Sequence, residues 1–165
     1  MSKTIKILLS EESVRSAIKQ VEAYRDGISR KMETLFSRLA DIGIDVARAT
    51  IDSIPSDEKG STYPDKKDLS SNGVTVFLGG DKVLFVEFGA GIAFSQPQNP
   101  KAAEMGYGLG TYPGQTHAYQ ESGWYYSTAE GSKHSRGNAP YMPLYKADME
   151  IQQRVREIAK EVFGG

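Results

Sequence analysis

Four polar side chains in the second half of the chain have the types needed for acid–base chemistry: Glu87, Tyr125, His134 and Arg136. Glu87 is the single charge in the apolar run Val83-Leu84-Phe85-Val86-Glu87-Phe88. A carboxylate among such neighbours has to find a partner or shift its pKa upward. One role open to it is general base, with His134 and Arg136 beside it to work on a phosphodiester. The other is a structural clamp, in which Glu87 pairs with Arg136 and His134 joins the cluster. No second group of matched spacing accompanies Glu87, and structural ion pairs perturb carboxylates as well. The clamp is therefore adopted, and no catalytic residue is assigned.

Metal and cofactor chemistry find little support. The chain has no cysteine, which removes thiolate sites and disulfides. His117 and His134, the only histidines, lie in polar, glycine-containing sequence without the helical spacing that a zinc site uses. Gly89-Ala90-Gly91 follows an apolar run, but Phe94 stands at the third glycine position of a dinucleotide fingerprint and Pro97 blocks the helix. The glycines from Gly106 to Gly110 lack the Lys-Ser/Thr of a phosphate loop. Gly89 and Gly91 are accordingly read as turn glycines. A denser signal is aromatic: Tyr107, Tyr112, Tyr119, Trp124, Tyr125, Tyr126, Tyr141 and Tyr145. Trp124 is assigned to a core, and the tyrosines exceed what a small core needs, which points to an interface.

Elements must position these groups. Residues 4–9 alternate well enough for a short strand. From Ser10 the pattern turns helical: Val14, Ile18, Val21, Ile28, Met32, Leu35, Leu39, Ile42, Val46 and Ala49 follow alternating steps, and Arg25 alone interrupts them. Ser10 is placed as N-cap, with Glu11 and Glu12 beside the positive end of the dipole. An interior glycine costs about 1 kcal/mol against alanine, so Gly27 predicts a kink or two helices, 11–25 and 28–53. The stripe lasts about five heptads. Its flanks carry no consistent complementary charges, so it is read as an amphipathic helix across a sheet rather than a coiled coil.

Residues 56–72 hold one aliphatic side chain, Leu69, and are expected to form a mobile loop. Gly79-Gly80-Asp81 between the apolar runs 74–78 and 82–88 predicts a β-hairpin. Residues 90–122 have no periodicity and are expected to be a second mobile segment. Trp124, Tyr125 and Tyr126 suggest a third strand of the same sheet. Pro143 suits the first turn of a last helix. Its buried face would be Leu144, Ala147, Ile151, Val155, Ile158 and Val162, with Gly164 at its end. The expected fold is one α+β domain over residues 1–165. In it an antiparallel sheet of roughly three to five strands is packed by the N-terminal helical segment and the C-terminal helix.

Composition bounds the partners. With 20 basic and 21 acidic residues the formal charge is −1, which argues against a dedicated binder of nucleic acid or anionic membrane. The longest nearly apolar run, 83–94, is too short to span a bilayer. Ile7-Leu8-Leu9 leads straight to Glu11-Glu12, unlike a signal peptide. The expected place of action is a cytoplasm, or a particle assembled there.

The order Val86-Glu87-Phe88-Gly89-Ala90-Gly91, Gly123-Trp124-Tyr125-Tyr126, Lys133-His134, Gly137, Ala139-Pro140-Tyr141-Met142-Pro143 resembles the tail-component family of long-tailed bacteriophages and prophages. Its members complete the tail where it joins the head connector. Glu87, Gly89, Trp124, His134, Pro140 and Pro143 match the recurrent positions. Ala90 stands where the family often has threonine, and residues 94–122 have no clear counterpart. The resemblance implies a structural part of the virion, with no enzymatic activity and no cofactor. It implies phage connector and tail proteins as partners, with a homo-oligomer in the particle and no membrane or sequence-specific nucleic acid. Trp124, Tyr125, Tyr126, Pro140, Tyr141 and Pro143 are then core or interface anchors, in a virion or in host cytoplasm during assembly. The competing reading is a small endoribonuclease-like toxin using Glu87, His134, Arg136 and Tyr125. The near-neutral charge weighs against it.

Overall fold

The computed structural model describes residues 10–69, 73–91, 97–107 and 120–164. Ser10 opens helix α1 (Glu11–Asp52), its Oγ accepting from the Ser13 N–H at 3.3 Å. Glu11 and Glu12 fill the first turn as the dipole favours. The strand expected over residues 4–9 lies outside the described residues.

Helix α1 is one continuous helix through Gly27, so the two separate helices, 11–25 and 28–53, do not form. A Cβ there would meet nothing within 4 Å, so no packing demand acts on the position. Only the propensity cost opposes the helix, about 1 kcal/mol, and the turns on either side carry it. Gly27→Ala should recover about that amount. Its measure is slower proteolysis within residues 11–30, with the melting of the folded core unchanged.

The buried row of α1 also differs from the sequence pattern. Ala40, Ile44, Ala47 and Ile51 are buried, whereas Ile42 and Val46 are half-buried and Ala49 is exposed. On a straight helix a 3.5-residue repeat drifts by about 20° per heptad, so the pattern turns out of the contact at its far end.

Helix α4 (Pro143–Phe163) lies antiparallel along the second half of α1. Gly43 lets the two approach, since a Cβ there would sit 2.9 Å from Ile151 Cδ1. Arg38 pairs with Glu161, and Lys31 Nζ stands 5.9 Å from the centre of the Phe163 ring.

Residues 56–72 are not a featureless loop. They hold the short helix α2 (Ser56–Lys59) and strand β1 (Tyr63–Asp68), while residues 70–72 lie outside the described set. Strand β1 pairs antiparallel with β2 (Val74–Gly79), from Tyr63↔Gly79 to Asp68↔Val74. Its polar side chains point largely to solvent, so the ladder and the Lys66–Asp41 ion pair to α1 hold it without a buried face. The expected partner of β2, the 82–88 run, is instead helix α3 (Val83–Phe88). A short apolar run fits either period. Here Asp81 decides: its Oδ1 accepts from Ser61 N and Ser61 Oγ, both at 2.8 Å. That ties the Gly79-Gly80-Asp81 turn back to the start of β1, and β2 is already paired.

Strand β3 (Trp124–Thr128) forms as expected, but it pairs with β4 (Gly131–Ser135) from Trp124↔Ser135 to Thr128↔Gly131. The described strands therefore make two separate hairpins, and the architecture is α+β without one larger sheet. The small core joins Ile51 and Ile54 to Val86 of α3, with Leu78 and Tyr141 packed on it.

Candidate functional site

Helix α4 begins without a cap of its own. Met142, just before it, is in the left-handed region at φ 59° and gives no side-chain acceptor. Pro143 takes the first helical position, where its missing N–H costs nothing. The next amides, of Leu144 and Tyr145, need an acceptor from elsewhere in the chain.

Glu87 supplies it. Its Oε2 accepts the Leu144 N–H at 2.9 Å, and Oε1 accepts the Tyr145 N–H at 3.1 Å. Asn99 Nδ2 donates to the same Oε1 at 2.9 Å and to the Glu87 carbonyl at 3.3 Å. The carboxylate thus caps a helix distant in sequence and sits at the positive end of its dipole. It is 5% exposed. Burial pushes its carboxyl above the usual glutamate range, against the pull of the Leu144 and Tyr145 amides, Asn99 and Lys146.

Around this cap, segments far apart in sequence are bonded together. The Ala90 N–H donates to Asn138 O at 2.8 Å, and the Asn138 N–H returns to Ala90 O at 2.7 Å. Asn138 Nδ2 donates to Phe85 O at 3.0 Å. The Tyr141 and Met142 amides both donate to Val86 O, at 2.9 and 3.3 Å. Gly89, at φ 74°, lies against Pro140, and Gly91, at φ 76°, lies against Trp124 and the backbone of Arg136 and Gly137. Pro140 and Pro143 are fully buried.

The expected clamp is not formed. Arg136 is exposed and makes no ion pair with Glu87, whose oxygens are taken by the Leu144 and Tyr145 amides and Asn99; the Arg136 carbonyl lies against Gly91. His134 is exposed on β4, its Nε2 2.8 Å from Ser122 O and its ring centre 4.7 Å from that of Tyr125. None of His134, Arg136 and Tyr125 is hydrogen-bonded to Glu87, so these residues do not gather into one acid–base constellation. Trp124 is half-buried rather than central to the core. Tyr125 is 74% exposed, and Tyr126 is exposed beside it. Tyr141 is half-buried and donates to Glu58 Oε2 at 2.8 Å. Burial, with the Glu58 carboxylate beside it, pushes that phenol up to about 12. His117, Tyr112 and Tyr119 lie outside the described residues, as do 92–96 and 108–119 of the expected mobile segment.

Sequence reasoning missed Asn99, Asn138 and Glu58. For the cap a signal existed: Tyr141-Met142 before Pro143 offers no Ser, Thr, Asp or Asn, so the acceptor had to be remote. Among the described residues no group of three His, Asp or Glu is placed to hold a metal, and no helix is long and apolar enough to cross a membrane. Comparison with family models, curated proteins and solved structures finds no match to this chain.

Proposed function

We propose that this chain is a structural protein of the phage or prophage head–tail connection, completing or joining the tail during assembly. The observation that carries the reading is the joint at the end of α3. Of the six positions that carry the resemblance, Glu87, Gly89, Trp124, Pro140 and Pro143 take part in one packed joint, while His134 is exposed on β4 outside it. In it Glu87 has a structural task, the capping of α4, that accounts for its burial without chemistry. Tyr125 and Tyr126 next to this joint present aromatic area with polar tips, the kind of side chain that anchors interfaces. Its partners are connector and tail proteins, and copies of itself in the assembled particle.

The test is deletion of the gene from a phage or inducible prophage that carries it. Filled heads and free tails should accumulate separately, and the purified chain added to that lysate should join them. Normal tailed particles from the deletion would overturn the reading. RNA cleavage by the purified chain, lost in His134→Ala, would replace it with the toxin.

A further inference from the structure

Helix α4 ends at Phe163, opposite Lys31, so residues 11–30 of α1 continue about 30 Å beyond it. Along this arm every residue is exposed except Ala17, which is buried, and Ser13 and Gly27, which are half-buried. Its apolar stripe is open: Val14, Ile18, Val21 and Ile28 are 41%, 52%, 55% and 40% exposed. In proteins most helical stability comes from packing an amphipathic face, and β-branched residues with an interior glycine make a weak former on propensity alone. The stripe keeps the 3.5-residue seam of a coiled coil, with Glu11 and Arg25 as the charges on the seam itself.

Those charges select the occupant and its direction. Two copies side by side in parallel would stack Arg25 on Arg25 and Glu11 on Glu11. Reversed, Ile18 of one arm faces Val21 of the other, and Val14 faces Arg25. Arg25 then comes within one turn of the opposite Glu11. On the flank, Arg15 comes opposite Glu22, and the two-fold axis repeats both contacts. Within one chain Arg15 pairs with Glu11 and Arg25 with Asp26, all largely exposed and so free to exchange partners. We propose that residues 11–30 pair antiparallel with the same segment of a second copy in the free protein. This does not rest on the head–tail reading.

The full chain should sediment as a dimer. Glu22→Arg places like charges at both flanks and should raise the dissociation constant about tenfold. The swap Arg15→Glu/Glu22→Arg should restore it. The sites are exposed, so an unchanged melting curve checks that each variant is folded. Since the chain has no cysteine, direction is read by oxidation. A mixture of Val14→Cys and Arg25→Cys chains should form the mixed disulfide in preference to either self-link. A monomer at every concentration, a dimer indifferent to Glu22→Arg, or Val14→Cys linking mainly to itself would each overturn the proposal.

Discussion

Replacing Glu87 with alanine should lower the melting temperature by roughly 10 °C. The change leaves the Leu144 and Tyr145 amides and Asn99 Nδ2 without their acceptor in a buried place. An unsatisfied buried donor costs about 1–3 kcal/mol, and three that share one site sum to about 3–5 kcal/mol. Glu87→Gln is milder. It keeps one oxygen to accept, but its NH2 group turns toward donors, so the loss should be about 1–3 kcal/mol. Arg136→Ala should stay within about 0.5 kcal/mol of wild type, since Arg136 does not hold Glu87. Acidity adds a signed check. Burial raises the Glu87 carboxyl above its ordinary 4.5 in the folded chain. A group raised on folding contributes stability that is present below its unfolded pKa and lost as pH rises through its folded value. The margin of wild type over Glu87→Gln should therefore narrow as pH climbs from below 4.5 to neutrality. A margin that widens would show that the amides and the dipole outweigh burial. Equal melting of wild type and Glu87→Ala would remove the cap altogether.

How much of this was legible in the sequence depends on how local the cause is. The start of α1 was readable because Ser10, Glu11 and Glu12 act on amides within one turn. Pro143 and Gly164 likewise mark the ends of α4 at short range. The 83–88 run was read as a strand because five apolar residues in a run of six satisfy either period. What makes it a helix is Asp81 holding Ser61, twenty residues away in sequence. Strand β1 was hidden for a similar reason: Tyr63–Asp68 has the composition of a loop, and its ladder partner rather than its side chains makes it a strand. At the joint, Glu87 stood out as a lone charge in apolar sequence. Its partner was sought among cations, because opposite charges are the obvious remedy for a buried carboxylate. Backbone amides at a helix start do the same work and leave no residue type to recognise. Asn99 was equally silent, since one amide among the polar residues of 90–122 carries no mark of burial.

Gly137→Ala tests whether the joint depends on the close approach of its two chains. A Cβ at Gly137 would lie 1.9 Å from Ala90 O and 2.9 Å from Ala90 C, at φ +107°. The obstacle is backbone, so no side-chain rotation relieves it. Ala90 must move, and with it go the paired bonds to Asn138 at 2.7 and 2.8 Å. Strained backbone costs about 1–3 kcal/mol and forced overpacking about 1–3 kcal/mol, giving about 4 kcal/mol together. That corresponds to a melting temperature lower by roughly 10 °C. Gly131→Ala is the control. It has a similar φ of +121° but nothing within 4 Å, so it bears the backbone strain alone. Its melting temperature should fall by less than half as much. Equal losses would mean that the approach of Gly137 to Ala90 contributes nothing. The pair also reports on the cap. Moving Ala90 displaces the end of α3 and turns Glu87 away from the start of α4, so Gly137→Ala already removes part of what Glu87→Ala removes. The double variant should therefore lose less than the sum of the singles by at least about 1 kcal/mol. Strict additivity would show that bridge and cap act independently.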